Sequence, residues 1–238
     1  MIQIGTSGWS YKHWKGKFYP ERLAQANWLG FYIKIFSTVE INATFYRRQP
    51  TTTFEKWYKS TPTNFKFSVK APRYITHIKR LKNSEEALSN FYKDVHPLRD
   101  KLSALLFQLP PNMKFNPTTI KNFLRLLNPG IRSCIEIRNS TFHCEDFFSL
   151  LQEYNIALCI SDTANRYPSL IERLTADFFY IRLHGSKTLY RSCYTLKELE
   201  EWAEKIRRWN IPGFIYFDND AEAYATTNAK QLLKLIHS

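Results

Sequence analysis

The chain has 238 residues, of which 44% are hydrophobic and 16% aromatic, so it can bury a sizeable core and is not expected to be disordered throughout. Its 34 basic and 21 acidic residues give a net charge of +13, which fits a polyanionic partner, an anionic substrate or a generally basic surface. No apolar run approaches the ~20 residues of a membrane span, and the N-terminal residues do not resemble a secretory signal.

Eight segments with apolar or alternating patterns are predicted to be strands. Segments with helical spacing separate them, and two helix starts are recognisable: Asn116 caps a helix that begins with Pro117, and Thr195 with Glu198 has capping-box spacing. Pro129–Gly130 is expected to close the first of these helices. The predicted strands are 2–8, 38–46, 65–72, 103–110, 133–139, 157–163, 178–185 and 213–220.

The alternation of strands and helices predicts a parallel sheet, because parallel neighbours need crossover connections. Eight such units in ~240 residues match a TIM-type (β/α)8 barrel. A doubly wound open sheet is the alternative, although the sequence has neither a GxGxxG nor a GxxxxGK phosphate loop. Because no linker, repeat or low-complexity segment divides the chain, we predict a single domain over residues 1–238.

Four cysteines, Cys134, Cys144, Cys159 and Cys193, are widely spaced and include no CxxC pair. This spacing is typical of reduced thiols in a cytoplasmic protein and does not favour a structural zinc site.

Alternate side chains of a barrel strand point inward, and those near the carboxyl ends open into the mouth of the barrel. In "VEINATFYR" (39–47), this parity sets Glu40 and Asn42 opposite the apolar Val39 and Ile41. Applied to the other strands, it predicts a polar inward set. The set comprises Ser68, Lys70, Gln108, Glu136, Arg138, Asp162, Arg182, His184 and Asp218.

Natural barrels usually fill their interiors with branched apolar residues, so this many inward charges indicates a site. The candidates for general acid–base catalysis are Glu40, Lys70, Glu136, Asp162 and His184. Substrate binding is assigned to Trp9, Asn42, Tyr46, Gln108, Arg138, Arg182, Asp218 and Asn219, the two aromatic rings being suited to a sugar or a base. The alternative is a salt-bridged plug in which each charge only neutralises its neighbours.

Arg182 is expected to hold an anion through two parallel hydrogen bonds. Gly185, Ser186 and Lys187 in the loop that follows are expected to add backbone and side-chain donors, because loops after strands seven and eight often bind phosphate in such barrels.

Several of these segments also carry a family resemblance. "IGTSGWSYKHWKGKFYP", "VEINATFYR", "FKFSVKAPRYITH", "LLFQLPP", "YIRLHG" and "YFDNDAEAYATTNA" resemble the signature of the domain-of-unknown-function 72 family, also called YecE-like. The resemblance runs from strand one to the last helix and implies a TIM-type barrel, but no particular reaction. The chain departs from the pattern where Asn139 replaces a histidine, Phe142 a tryptophan and Asp218 an asparagine. If that histidine carries protons in relatives, this chain must use another group or has lost activity.

The favoured hypothesis is an enzyme, without a cofactor, that acts on a small polar and anionic substrate such as a phosphorylated sugar or nucleotide. Hydrolysis, isomerisation and lyase chemistry all remain open. A metal-dependent isomerase or nuclease-like barrel is an alternative, although arginine and lysine among the carboxylates would repel a cation. The third hypothesis is a nucleic-acid-binding module without catalysis. Basic side chains lie among aromatic ones at 8–20 and 71–80, and this pattern predicts only weak binding.

Overall fold

A computed structural model describes residues 1–237 and contains all eight predicted strands. Each strand ends before its predicted end, because the residues beyond it turn into the loops of the mouth. The strands are β1 (Ile2–Thr6), β2 (Thr38–Ile41), β3 (Lys66–Lys70), β4 (Leu102–Gln108), β5 (Ser133–Glu136), β6 (Ala157–Asp162), β7 (Phe179–Leu183) and β8 (Gly213–Phe217).

Neighbouring strands pair in parallel from β2 through β8, and β8 pairs with β1 along its whole length. The sheet therefore curls into a TIM-type barrel, as predicted. The helices around it are α1 (Trp28–Tyr32), α2 (Ala43–Tyr46), α3 (Thr51–Lys59), α4 (Glu85–Val95), α5 (Pro117–Arg125), α6 (Glu145–Glu153), α7 (Leu196–Trp209) and α8 (Tyr224–His237). Within residues 1–237, no helix is both long and apolar enough to cross a membrane.

Both predicted helix starts are confirmed. The Asn116 side chain accepts a hydrogen bond from the Thr119 amide at 2.8 Å, and Thr195 and Glu198 form a reciprocal capping box. Helix α5 ends at Arg125, ahead of the Pro129–Gly130 pair predicted to close it.

The crossover from β6 to β7 lacks a helix throughout residues 163–178, so the expectation of a helix in every crossover is wrong here. Ala164 and Asn165 take positive φ angles of 51° and 59°, which turn the chain out of a helical path. The chain then returns beside β6, where Ser161 and Ser169 exchange hydrogen bonds. These bonds take the place of a covering helix.

The barrel closes between β1 and β2 through an unusual seam. These strands share no continuous ladder of hydrogen bonds; they meet at a bridge between Ser7 and Glu40. The Tyr32 hydroxyl of α1 accepts a hydrogen bond from the Thr6 amide at 3.0 Å and donates one to the Thr38 carbonyl at 3.0 Å. A side-chain hydroxyl thus satisfies two buried backbone groups that a ladder would otherwise pair.

The interior of the barrel has an apolar floor below a polar layer. The predicted outward residues, such as Val39, Phe107 and Ile181, are buried in the layer between the strands and the helices. The floor is formed by Ala104, Leu106, Cys134, Ala157, Cys159, Phe178, Tyr180, Phe214 and Tyr216, and all four cysteines of the chain are free.

We predict that Tyr32→Phe lowers the free energy of unfolding by about 2–4 kcal/mol, because it leaves a buried amide and a buried carbonyl without this partner. Urea denaturation measures the change. The control is Tyr58→Phe, whose exposed hydroxyl contacts Asp100 at 3.2 Å and whose loss should cost less than about 0.5 kcal/mol. Equal effects of the two substitutions would show that the hydroxyl does not join the seam.

Candidate active site

Arg182 is the centre of the polar layer. It lies on β7, its side chain is 1% exposed, and each of its three side-chain nitrogens has a partner. The Nε atom donates to Glu40, Nη1 donates to Glu136 at 2.8 Å, and Nη2 donates to Glu40 at 2.8 Å and to Asp218 at 3.3 Å. The guanidinium therefore joins acids from three parts of the barrel, which is the arrangement that keeps buried carboxylates ionised.

Glu40 faces inward from β2, as its parity predicts. Its carboxylate accepts hydrogen bonds from the Ser7 hydroxyl and from the Tyr180 hydroxyl, the latter at 2.7 Å, in addition to those from Arg182. All of these partners are buried. Glu40 is thus a saturated acceptor at the seam, and it does not line the mouth cavity described below.

Glu136 lies at the end of β5 and holds a second set of donors. Gln108 donates to it at 2.7 Å and Arg138 at 3.0 Å. Burial disfavours the ionised form, but the nearby Arg138 and Arg182 outweigh burial and hold the pKa of Glu136 well below its usual range. Glu136 is therefore a permanent anion near neutral pH and not a proton donor.

Asp218 and His184 form the open edge of the network. The Asp218 carboxylate lies 2.9 Å from Nδ1 of His184, while Nε2 of His184 lies 3.2 Å from Arg182. Burial opposes ionisation of Asp218, but the His184 contact and Arg182 lower its pKa. Unlike the two glutamates, Asp218 is 13% exposed at its side chain, so it is an ionised acceptor that can reach a ligand.

Lys70 differs from the other cations of the layer. It ends β3 with its inward parity, is 5% exposed, and places its Nζ atom 4.1 Å from the centre of the Phe45 ring. Among the described residues, no carboxylate lies within salt-bridge distance of it. Burial and the charge of Arg182 lower the pKa of Lys70 to about 8. This amine therefore titrates close to neutral pH.

A cavity of about 560 Å³ opens above this layer at the carboxyl ends of the strands. Polar and charged groups at its base face aromatic rings around its rim. Burial raises the pKa of the Tyr11 and Tyr190 phenols, so both stay protonated. The lining includes Trp9, Tyr11, Asn42, Tyr46, Trp57, Lys70, Arg182, Tyr190, Asp218 and Asp220.

A larger cavity of about 1060 Å³ lies at the opposite end of the barrel, where the strands begin. Met1, Gln3, Arg132 and Phe214 are among its lining residues. Active sites of TIM-type barrels lie at the carboxyl ends of the strands, and the ionised inward residues of this chain lie there too. The smaller cavity, which we call the mouth cavity, is therefore the candidate active site.

Some predicted site residues lie apart from the network. Asp162 shares the outward parity of Leu158 and Ile160, so its expected inward position is not observed; its carboxylate accepts a hydrogen bond from Tyr194 at 2.9 Å. Burial raises its pKa. Asn219 donates to Ser192 and to Asn228 and is absent from the lining of the mouth cavity.

Of the other predicted binding residues, Trp9, Asn42 and Tyr46 line the mouth cavity, whereas Gln108 and Arg138 do not. Trp9 packs edge-on against Trp57 with ring centres 5.2 Å apart, and Tyr46 is 75% exposed at the rim. Asn42 donates to Ser7 at 2.7 Å, while its buried Oδ1 atom has no partner among the described residues.

Two backbone amides of the loop after β7, which were expected to bind an anion, already donate to side chains of this chain. The Gly185 amide donates to the Tyr194 hydroxyl at 3.0 Å, and the Lys187 amide donates to Ser192 at 3.1 Å. Because Arg182 has a partner at every nitrogen, it has no free pair of donors for an anion either. The geometry of residues 1–237 therefore does not support a bidentate phosphate grip at this strand.

Three residues near the site escaped the parity argument. Ser7 follows β1 and contacts Glu40, Asn42 and Arg182. It lies two residues after Gly5, so strand parity could have predicted its inward position from the sequence. Asp220 lines the mouth cavity and accepts a hydrogen bond from the Trp14 indole. His77 lies on a single π-helical turn, and burial and the nearby Lys70 lower its pKa to about 4. Asp220 and His77 lie in loops, where strand parity gives no information.

Arg182 also bears on the metal-dependent alternative, because it occupies the space between the carboxylates. Within residues 1–237, no three His, Cys, Asp or Glu side chains come together in a group that could hold a metal ion. The absence of a cofactor stays a prediction.

The departures from the family pattern have local structural roles. Asn139 accepts a hydrogen bond from the Thr141 amide at 3.1 Å and donates to the Pro111 carbonyl at 2.8 Å, so it caps the turn after β5. Phe142 is buried against Phe115 and Phe147.

Eight parallel strands that form a barrel, with a cavity at the carboxyl ends of the strands, define a TIM-type barrel protein. A family model described as "Protein of unknown function DUF72" matches residues 3–238, and the chain belongs to this family, as its motifs predict. In an alignment 272 positions long, it is 26% identical to the UPF0759 protein YunF of Bacillus subtilis, and the alignment covers 99% of this chain and 95% of that protein. The UPF0759 protein YecE of Escherichia coli is 28% identical over 145 residues, which are 60% of this chain and 50% of YecE.

Solved structures agree with this assignment. A DUF72 family protein from Thermotoga maritima superposes with a TM-score of 0.87 at 27% identity, and the match covers 100% of both chains. A DUF72 family protein from Enterococcus faecalis gives a TM-score of 0.85 at 20% identity, covering 100% of this chain and 96% of that one. These similarities support the fold and the family, and neither relative's description gives a reaction.

We predict that Arg182→Met lowers the free energy of unfolding by about 3–5 kcal/mol, because it leaves two buried carboxylates without their shared cation. Arg182→Lys keeps the charge but cannot reproduce the forked hydrogen bonds, so its loss should be smaller. Chemical denaturation of both variants at pH 7 measures the difference. Wild-type stability in Arg182→Met would show that the network does not hold the layer together.

We predict that Lys70→Met stabilises the protein at pH 7 by up to about 3 kcal/mol, because a lysine pKa lowered from 10.5 to about 8 reflects the cost of charging a buried amine. The unfolded chain binds more protons than the folded chain between pH 8 and 10.5, so wild-type stability rises with pH in that window. The advantage of Lys70→Met should therefore be constant below pH 8 and vanish near pH 10.5. Urea midpoints of both proteins at pH 7 and pH 10 test this, and parallel pH profiles would contradict it.

Proposed function

We propose that this DUF72 protein is an enzyme that acts on a small polar molecule bound in the mouth cavity. The observation that carries the proposal is the composition of this cavity: an amine without a carboxylate partner and a carboxylate that is 13% exposed lie at the base of a chamber rimmed by aromatic rings. A volume of about 560 Å³ falls within the range of small-molecule sites. A salt-bridged plug would leave no such amine.

The groups around the cavity divide into distinct chemical roles. Asp218 is ionised and can accept a hydrogen bond from a ligand, whereas the Tyr190 phenol stays protonated and can donate one. Lys70 exchanges its proton near pH 8, so it can serve as a base or a nucleophile. Glu40 and Glu136, which sequence parity puts among the catalytic candidates, act instead by holding Arg182 in place.

The aromatic rim and an unsatisfied acceptor support a polar, ring-shaped or chain-like ligand. Trp9, Tyr46 and Tyr190 offer flat faces to a sugar or a base. The Oδ1 atom of Asn42 could accept a hydrogen bond from a ligand hydroxyl. We further propose that the substrate is anionic, such as a phosphorylated sugar or nucleotide. The net charge of +13 supports this choice by attracting anions to the surface.

Binding is tested with sugar phosphates, nucleotides and their dephosphorylated counterparts, by thermal shift and titration calorimetry. We expect the phosphorylated compounds to stabilise the protein more than their neutral counterparts. For a compound that binds the wild type, the Tyr46→Ala variant should have a Kd at least roughly fivefold higher, because it loses a stacking face worth about 1 kcal/mol.

Tyr74→Ala is the matched control for Tyr46→Ala, because Tyr74 is also exposed but does not line the mouth cavity. Tyr74→Ala should bind as the wild type does. Equal loss of binding in Tyr46→Ala and Tyr74→Ala would show that the ligand does not bind in the mouth cavity. If none of the phosphorylated compounds binds, the anionic-substrate proposal is wrong.

A further inference from the structure

Two lysines are buried in this barrel, and their surroundings differ. Lys101 donates hydrogen bonds to the Tyr58 carbonyl at 2.6 Å, to the Thr61 carbonyl at 2.6 Å and to the Thr61 hydroxyl at 3.1 Å. Lys70 has no such acceptor among the described residues, and its Nζ atom lies over the Phe45 ring at the wall of the mouth cavity. Lys101 is thus held in place as a structural ammonium, whereas the lone amine of Lys70 is available to a ligand.

The arginines of the layer explain why Lys70 has no carboxylate partner. Arg138 and Arg182 occupy the oxygens of Glu40 and Glu136, and Asp218 is shared between Arg182 and His184. A guanidinium competes well for carboxylates because it forms parallel hydrogen bonds. Lys70 is therefore left beside another cation in a partly apolar setting, which is one of the ways by which proteins activate a lysine as a nucleophile.

We propose that Lys70 forms a Schiff base with the carbonyl carbon of a small aldehyde or ketone bound in the mouth cavity. The Nζ lone pair attacks the carbonyl carbon, the C=O electron pair moves to oxygen, and a proton from nitrogen completes a carbinolamine. Loss of that oxygen as water, with the second proton of the amine, gives the imine. No oxidant or reductant is needed for this sequence.

The other cavity groups suit the charges that develop in this sequence. Asp218 is ionised and lines the cavity, so it can stabilise the positive charge on the nitrogen as it attacks. The protonated Tyr190 phenol lines the same cavity and can donate a hydrogen bond to the oxygen as it takes up negative charge. The inference rests on the proposed function and narrows it: a phosphorylated sugar in its open-chain form carries the required carbonyl, whereas a nucleotide does not present one for imine formation.

Reactivity of the amine is tested first with limiting formaldehyde and cyanoborohydride at pH 7, a probe small enough to reach any site in the mouth cavity. Peptide-resolved mass spectrometry then compares methylation of Lys70 with that of Lys101. We expect Lys70 to react at least about tenfold faster, because it lines the mouth cavity without a hydrogen-bond acceptor, whereas three acceptors hold the buried Nζ atom of Lys101. Labelling of Lys70 no faster than that of Lys101 would overturn the proposal.

Substrate-like trapping uses glyceraldehyde 3-phosphate with cyanoborohydride, and glycerol 3-phosphate as the analogue without a carbonyl. We expect a reduced adduct on Lys70 that grows as the pH rises from 6 to 8, and no adduct at that position in Lys70→Arg. Adducts spread evenly over the lysines, with none in excess at Lys70, would refute imine formation.

The Lys70→Arg variant separates this inference from the proposed function. If the variant is still stabilised by the compounds that stabilise the wild type, while wild-type Lys70 forms no adduct, the binding site stands and the Schiff base falls. If no compound stabilises either protein, yet Lys70 is trapped selectively, the imine chemistry stands and the anionic-substrate proposal falls.

Discussion

The guanidinium of Arg182 determines the arrangement of the whole polar layer. It neutralises Glu40 from β2 and Glu136 from β5 and reaches Asp218 beyond β8, so acids from distant parts of the sequence converge on one cation. Buried ion networks seldom add net stability over apolar packing, but removing one member leaves uncompensated charge. The network therefore fixes which strand ends face one another. It holds the seam residue Glu40 in register, and it forms the base of the mouth cavity.

The same network leaves one cation of the polar layer, Lys70, without a carboxylate partner among the described residues. Arg138 and Arg182 pair with Glu40 and Glu136, so these four side chains provide structure. Lys70, excluded from these pairs, is a cation whose charge the surroundings oppose, and its pKa lies near 8 as a result. Relatives of unknown function give no reaction with which to compare it. The proposed function rests on this unpaired charge and not on the number of charges, because a salt-bridged plug would pair them all.

Much of the barrel was accessible from the sequence, because strand alternation has a period of two and helix caps have short, specific spacings. Parity correctly placed Glu40, Glu136 and Arg182 in the interior. It failed for Asp162 because "ALCISD" is buried on both faces, so its pattern does not tell inward from outward positions. Pairing was not predictable either. Three acids and three bases allow many combinations, and only the three-dimensional distances show that the arginines take the carboxylates and leave Lys70 alone.

The order of these charges along the chain has a consequence for biosynthesis. Glu40 is translated 142 residues before Arg182, and Glu136 is translated 46 residues before it, so the acid of β2 waits much longer for the cation that the two share. Until β7 is made, Glu136 can pair with Arg138 but Glu40 lacks its cation, and burying an unpaired carboxylate is costly. The charges of the polar layer can therefore be fully paired only after the seventh strand has been made, late in translation.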